Sequence, residues 1–306
     1  MYFGSVRFFK NMILLCVIIM ILIPTVFAIR LSMSLTTARA EVRRLDAEIT
    51  QIRQQVDEHI EEDVEEAHGQ PEFTAEGPAY QQLYPDFYAP QPLQLQESEE
   101  HMVYLTFDDG PTGNTDAVLD VLAEQDVKAT FFVIGTTGQA AGERMRNIVK
   151  QGHTLGMHSY SHEFDTIYAS VEEFLGDMYQ IFSIIREETG VTPTVFRFPG
   201  GSINAYNPGV YQEIIAEMLR RGFVPHDWNI SAQDATSRGL TVEELVENVT
   251  GKLTGKMRAI VLMHDGARQD TTVKALPVII DRFRALGFQF DRISPNTKPV
   301  LFSYME

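Results

Sequence analysis

The sequence is poor in cysteine and in positive charge. Its 306 residues include one cysteine, Cys16, which lies inside an apolar run, so the rest of the chain can form neither a disulfide bond nor a thiolate metal site. Any metal ion must therefore be held by histidine and carboxylate side chains. Lys and Arg number 25 against 42 Asp and Glu, and the net charge is −17. This charge repels a phosphate backbone, which argues against a nucleic-acid partner.

The longest apolar run covers residues 11–29, NMILLCVIIMILIPTVFAI. It is long enough to cross about 30 Å of hydrocarbon as a helix. We predict that residues 1–30 anchor the protein in the cell membrane as a single-pass helix, with the remainder of the chain extracytoplasmic. A cleaved signal peptide is the alternative, because residues 26–28 (Val-Phe-Ala) fit a small-residue cleavage site, and the protein would then be secreted. Both interpretations export the rest of the chain.

A helical stalk is predicted over residues 31–67. Apolar residues recur there at spacings of three and four, as in a heptad seam over residues 35–56: Leu35, Ala38, Val42, Leu45, Ile49, Ile52 and Val56. Such a helix either forms a coiled coil that makes the protein a homo-oligomer or packs on the folded domain by itself. Residues 68–100 are acidic and contain Pro and Gln, which predicts a spacer. Five of its residues are expected on the surface of the folded domain: Tyr80, Leu83, Tyr84, Phe87 and Tyr88.

From residue 101 to 293 short β-rich runs alternate with amphipathic helical stretches. We predict seven strands, at residues 102–107, 129–134, 154–158, 195–198, 223–228, 259–263 and 288–290. We predict six helices between them, at residues 115–125, 143–151, 170–189, 208–221, 242–253 and 271–286. Four glycines follow helix ends, where left-handed backbone is favoured: Gly152, Gly190, Gly222 and Gly287. The alternation predicts an α/β fold with a closed or nearly closed parallel sheet, followed by a tail at residues 294–306.

Ionisable side chains lie at or just after the ends of five predicted strands. They are Asp108 and Asp109, His158 and His162, Arg197, Asp234 and His264. In parallel barrels the C-terminal ends of the strands meet at one rim, which carries the chemistry. The sequence therefore predicts that these groups converge on one site.

The residue types in this set suit hydrolytic chemistry at a metal. Of two adjacent carboxylates, Asp108 and Asp109, one can bind a metal while the other accepts a proton. Histidines four apart, such as His158 and His162, share one face of a helical turn and suit a site of two histidines and one carboxylate. His264 could serve as a general acid. Each motif alone also fits a structural role, respectively an acidic turn, capping histidines and a core histidine.

Two further features belong with this set. Arg197 can hold a neighbouring carboxylate ionised and oriented, or it can form an ordinary surface salt bridge. Gly200 and Gly201 follow it and bring backbone N–H groups close to the site, where they could bind an oxyanion or simply form a turn.

In order along the chain, five motifs resemble those of the polysaccharide deacetylases, carbohydrate esterase family 4. They are TFDDGP from Thr106, HSYSH from His158, RFPGG from Arg197, WNISAQD from Trp228 and LMH from Leu262. The resemblance covers about residues 101–293, two thirds of the chain. The sequence looks most like membrane-anchored peptidoglycan N-acetylglucosamine deacetylases of Gram-positive bacteria. The resemblance implies an irregular (β/α)7-like barrel.

The resemblance also implies a role for each site residue. Asp109, His158 and His162 would hold a divalent metal, most often Zn²⁺, with Co²⁺ or another divalent ion as alternatives. Asp108 would be the general base, and Arg197 would orient it. His264 would be the general acid, and Asp234 would support the charge network of Arg197 and His264, with either of them as its partner. The N–H of Gly200 would bind the oxyanion.

Two positions depart from the family pattern, which usually has aromatic residues where Gly200 and Ala235 stand. Both aromatics normally line the sugar groove of the family, so the departures bear on substrate preference and leave the catalytic groups intact. The expected function is removal of N-acetyl groups from a cell-wall polysaccharide, with peptidoglycan as the expected polymer. The alternatives are a chitin-like polymer or exopolysaccharide, an O-acetyl ester substrate, and a wall-binding protein without activity.

Overall fold

The computed structural model describes residue 44, residues 77–89, 95–96, 101–236, 239–251, 253 and 257–303. Apart from residue 44, the predicted membrane segment and stalk lie outside these residues, so both stay predictions. Among the described residues, no helix has the length and apolar character needed to cross a membrane. The chain divides into two units, residues 1–76 and 77–306, and nearly all described residues belong to the second.

The second unit is built on a parallel sheet. Its described residues form eight strands: β1 (Met102–Gly110), β2 (Thr130–Ile134), β3 (Thr154–Ser159), β4 (Val195–Phe196), β5 (Val224–Pro225), β6 (Ile230–Ser231), β7 (Arg258–His264) and β8 (Gln289–Asp291). The strand order is β5-β4-β3-β2-β1-β7-β6. Strand β8 pairs with the first three residues of β1, below the point at which β2 begins to pair. Long β1 thus lies at the centre, and its carboxyl end is flanked by β2 and β7.

The sheet curls into a half-barrel. We predicted a closed or nearly closed sheet, and within the described residues the sheet is not closed. Strands β5 and β6 lie at opposite ends of the strand order, yet only residues 226–229 connect them, a span of at most about 17 Å. In a flat sheet their separation would be about 29 Å, so the sheet must bend. No pairing joins β5 to β6 within the described part of the chain. The backbone N–H of Asp227, which lies between the two strands, is bonded to the C=O of Val300.

Seven α-helices surround the sheet in the described residues: α1 (Gly113–Glu124), α2 (Gln139–Lys150), α3 (Phe164–Ile167), α4 (Val171–Thr189), α5 (Tyr211–Arg220), α6 (Val242–Thr250) and α7 (Asp270–Ala285). A short 3-10 helix precedes them at Ala79–Gln82. The six predicted helices are confirmed with small shifts at their ends, whereas α3 and β6 were missed. The four glycines predicted after helix ends all have positive φ.

Side-chain alternation along β1 decides which groups enter the half-barrel. Val103, Leu105 and Phe107 pack in the large core, between the sheet and the helices. Met102 and Tyr104 pack in a second, smaller cluster. Because successive residues of a strand point to opposite faces, Thr106 and Asp108 share the face of this smaller cluster. The first carboxylate of the DDG motif is therefore directed to the inside of the curled sheet.

Residues 77–89 pack into the second unit, although they fall in the predicted spacer. Phe87 is fully buried between Phe182 and Phe223, so its predicted place on the surface is wrong. Arg221, also fully buried, is held by Glu217 at 2.6 Å. Its guanidinium donates to the carbonyls of Tyr80, Leu83, Tyr84 and Phe87. The segment is thus tied to the domain by one buried cation, which sequence periodicity does not reveal.

Candidate active site

The two adjacent carboxylates at the end of β1 face different surroundings. Asp108 is 2 % exposed, whereas about a third of the Asp109 side chain is exposed. The pairing of β1 with β2 shifts register between Asp108 and Gly110, and Asp109 has a φ of 70°. A Cβ at Gly110 would lie 2.4 Å from the Asp265 carboxylate, so only glycine fits there. This irregular strand end turns Asp109 away from the side to which Asp108 points.

Arg197 lies beneath the site and is fully buried. Its Nη1 donates to Asp108 Oδ1 at 2.9 Å and to Thr106 Oγ1 at 2.7 Å. Its remaining donors reach the carbonyls of His226 and Asp227. Burial raises the pKa of Asp108, while the Arg197 charge and hydrogen bond oppose that rise. Arg197 therefore fixes one oxygen of Asp108 and leaves Oδ2 near His158 Nε2.

The segment from His158 to His162 does not form the predicted helical turn. His158 lies in β3, and the chain then bends, with φ values of 134° at Ser159 and 57° at His162. Ser159 Oγ accepts a hydrogen bond from the His162 N–H at 2.9 Å. The carboxylate of Asp177, on α4, accepts from the N–H groups of Tyr160 and Ser161. A capped bend, rather than a helix, brings the two imidazoles together.

Asp109, His158 and His162 form a compact cluster. Their candidate ligand atoms all lie within 4.8 Å of one another. Asp109 Oδ1 is 3.6 Å from His158 Nε2 and 3.4 Å from His162 Nε2. It is buried and has no hydrogen-bond partner among the described residues. The second carboxylate is close by, since Asp108 Oδ2 is 3.7 Å from His158 Nε2.

His264 is at the end of β7, level with Asp108 on the adjacent strand. Its Nδ1 is 2.8 Å from Asp234 Oδ1, and its backbone N–H donates to Asp234 Oδ2. Burial acts to lower the pKa of His264, but the hydrogen bond and charge of Asp234, with the charges of Asp108 and Asp109, raise it to about 9. The Asp234 side chain is thus the partner of His264, and within the described residues it makes no hydrogen bond to Arg197.

Gly200 lies in the loop after β4, with a φ of 77°. A Cβ there would meet the ring of Phe164 at 2.7 Å, so that ring occupies the space beside the glycine. The carbonyl of Pro199 accepts from the Tyr168 hydroxyl and the Asn204 amide. Among the described residues, no hydrogen bond engages the Gly200 N–H. The loop therefore presents a free N–H while its carbonyls are held in place.

Comparison with known proteins identifies the family. Residues 96–218 match the family described as "Polysaccharide deacetylase". Over 204 residues the chain is 31% identical to a peptidoglycan-N-acetylglucosamine deacetylase of Bacillus cereus, covering 65% of this chain and 72% of that relative. The chain belongs to the polysaccharide deacetylase family. The solved catalytic domain of the peptidoglycan N-acetylglucosamine deacetylase from Eubacterium rectale is 33% identical, with a TM-score of 0.64, over 71% of this chain and 98% of that one.

As a polysaccharide deacetylase the protein is a hydrolase, and members of this family use a divalent metal. The cluster of Asp109, His158 and His162 fits such an ion. Ligands at 2.0–2.1 Å from a tetrahedral ion are about 3.4 Å apart, close to the two distances from Asp109 Oδ1. Burial lowers the pKa of His158 to about 3, so its imidazole is neutral and can coordinate. Its Nδ1 lies 3.0 Å from the C=O of Arg197, which leaves Nε2 facing the cluster.

Several residues that support the deacetylase site were missed from the sequence. Asp177 caps the His158–His162 bend, and Asp227 holds Ser202 and the N–H of Phe302. Asp265 is fully buried against Gly110; burial raises its pKa to about 7 despite a hydrogen bond from Thr115. Asp265 follows His264 directly, so its position at a strand end could have identified it from the sequence as a residue of the site. Asp177 lies in the middle of a helix and gave no such signal.

Proposed function

We propose that this protein removes the N-acetyl groups of N-acetylglucosamine in peptidoglycan. The single observation that carries the proposal is the convergence of three units on one rim: the Asp109–His158–His162 cluster, the Arg197-bound Asp108, and the Asp234-bound His264. These are the parts that amide hydrolysis needs. The named relatives from Bacillus cereus and Eubacterium rectale support peptidoglycan as the polymer.

Activation of water falls to Asp108. Its Oδ1 is held by Arg197, so Oδ2, which faces the cluster, is the atom that takes the proton from the attacking water. The arrangement keeps the carboxylate oriented in a buried position. Burial raises the pKa of Asp108 toward neutral pH, and a base whose pKa is nearer to the working pH is better suited to proton transfer.

A divalent cation held by Asp109, His158 and His162, with Zn²⁺ as the proposed ion and Co²⁺ as the alternative, would supply Lewis-acid polarisation there. Gly200 would donate its free N–H to the oxyanion that develops on the acetyl carbonyl. His264, protonated at neutral pH because of Asp234, would give its proton to the departing amine nitrogen. Acetate and the free amino sugar are the products.

We also propose that the catalytic unit works outside the cytoplasmic membrane. The apolar run at residues 11–29 supports an uncleaved anchor, with signal cleavage and secretion as the alternative. The heptad pattern at residues 35–56 supports a helical stalk that brings copies of the chain together. The mass of the protein recovered from membrane and soluble fractions would separate anchor from signal, and cross-linking in intact cells would test self-association.

Acetate release from purified peptidoglycan tests the function. We expect release that a chelator abolishes and added zinc restores. If metal-loaded protein releases nothing from peptidoglycan but acts on chito-oligosaccharides or on acetyl esters at matched pH, the polymer or the bond is assigned wrongly. If it binds glycan and metal without hydrolysing any substrate, the protein is a wall-binding protein instead.

A further inference from the structure

Beside the metal cluster lies an open cavity of about 540 Å³. This volume is within the range of about 300–1,000 Å³ that is typical of ligand pockets. Its walls come from the loop after β6, the start of α6 and the start of α7: Asp109, Asp234, Ala235, Thr236, Gly239, Leu240, Leu245, Arg268, Gln269, Thr271 and Thr272. Asp109 belongs to both the cluster and the cavity. A polymer whose acetamide lies at the cluster can therefore place a neighbouring group in the cavity.

Two of the described residues that the loop after β6 contributes to the wall are small. Ala235 and Gly239 both line the cavity, and neither has a side chain large enough to fill the space. Leu240 and Leu245 supply an apolar part of the wall, while Thr236 and Thr271 supply hydroxyls. Such a mixed lining suits a substituted sugar better than a purely apolar ligand.

Among the described residues of this lining, Arg268 is the one with a cationic side chain. It is exposed, and within the described part of the chain its guanidinium makes no salt bridge or hydrogen bond. The acidic groups of the lining are engaged elsewhere. Asp234 accepts from His264 and Thr272, and Asp109 belongs to the metal cluster. In a chain with a net charge of −17, an uncompensated arginine beside the site is a candidate contact for an anion.

We propose that this cavity selects polymers that carry a carboxylate next to the acetylated sugar, and that Arg268 binds this carboxylate. The inference rests on the proposed function and deepens it, because peptidoglycan bears carboxylates and chitin does not. A guanidinium can bind a carboxylate through two parallel hydrogen bonds, an arrangement that an ammonium cannot reproduce. The carboxylate has two sources: the lactyl group of the alternate sugar, or the peptide attached to it.

The test compares three acetylated oligomers of equal length: neutral chito-oligosaccharides, peptide-free peptidoglycan strands with free lactyl carboxylates, and peptide-bearing strands. Arg268→Gln should raise KM for a carboxylate-bearing oligomer about tenfold with little change in kcat. KM for the neutral oligomer should stay within about twofold. Arg268→Lys should recover part of the loss. Lys274→Gln, which removes the same charge from the exposed face of α7 outside the cavity, is the matched control.

The pattern of losses identifies the source of the carboxylate. A loss confined to peptide-free strands assigns the lactyl group, and a loss confined to peptide-bearing strands assigns the peptide. Ala235→Trp, which fills the cavity, should weaken binding of carboxylate-bearing oligomers more than that of the neutral one. Equal losses on all three oligomers, or none, would overturn the proposal.

Calorimetric binding of the same oligomers to metal-loaded protein keeps the two proposals separate. If no acetate is released from peptidoglycan, the proposed function fails. If wild type and Arg268→Gln bind carboxylate-bearing strands equally, the inference about the cavity fails, whatever the turnover.

Discussion

Replacing Asp234 by Asn is the sharpest perturbation of the acid side of the site. Asp234 Oδ1 is 2.8 Å from His264 Nδ1, and Oδ2 accepts from the His264 N–H and from Thr272 Oγ1. Asparagine has nearly the same shape. Its one oxygen can accept a hydrogen bond from the His264 N–H, from Thr272 Oγ1 or from both. The substitution removes the negative charge that holds the imidazole protonated.

The expected loss of activity follows from the pKa of His264, which is about 9 in the intact site. Without Asp234, burial would be the main influence on the pKa of His264. The charge of Asp108 is offset by Arg197, and Asp109 belongs to the metal cluster. The pKa of His264 should then fall to about 6.5 or below, a drop of roughly 2.5 units, or about 3.4 kcal/mol. At pH 7.5 about one molecule in ten would still carry the proton, so kcat/KM should fall about tenfold or more.

The assay is the pH profile of kcat/KM on an acetylated oligomer, at equal metal content. His264 must be protonated to act, so activity is lost as the pH rises through its pKa, and the alkaline limb should move from near 9 to below about 7. The ratio of variant to wild type should therefore rise steadily as the pH falls from 9 to 6. Asp270→Asn, which removes an exposed carboxylate at the start of α7, is the control. A ratio that stays constant with pH would refute the assigned role of Asp234.

Metal affinity, stability and acid sensitivity give three further tests. His162→Ala removes a ligand and should weaken zinc binding more than about 100-fold in a chelator competition; unchanged affinity would exclude the cluster. Arg221→Lys should lower the free energy of unfolding in urea by about 2–4 kcal/mol, whereas exposed Arg268→Lys should change it by under about 0.5 kcal/mol. Burial lowers the pKa of His226 to about 3, so its stabilising contribution is present above about pH 6.5 and is lost as the pH falls toward 3. His226→Gln should therefore lose stability more slowly between pH 6.5 and 4, by up to about 1.4 kcal/mol per pH unit; parallel curves would contradict this.

The convergence of the site could be predicted because strand ends carry its residues. A parallel sheet brings the carboxyl ends of neighbouring strands to one edge, and Asp108 and His264 are register partners on β1 and β7. The alternation of side chains along β1 then separates Asp108 from the residues that face the helices. The sequence pattern indicated both the strand ends and the alternation, so the convergence could be predicted without knowing which strands pair.

Features that depend on distant partners could not be predicted in the same way. The bend at His158–His162 is stabilised by Asp177, 15 residues further along the chain, and the spacing of four alone suggested a helix. Phe87 is buried because Arg221, far along the chain, binds the carbonyls around it. The two-residue strand β6 pairs with β7 but is too short to show a period. In each case a long-range contact, rather than local pattern, decides the structure.

The most direct test of the account is acetate release by Asp108→Asn, measured beside wild type with the bound metal quantified in both. Asp108 is the proposed base and is not one of the three proposed metal ligands, so the variant should keep its metal. Asparagine keeps an oxygen that can accept the Arg197 hydrogen bond, so the variant should also keep its fold. We predict that acetate release from peptidoglycan falls by about 100-fold or more while metal content stays the same. A metal-loaded, folded Asp108→Asn protein that releases acetate at the wild-type rate would contradict the proposed chemistry.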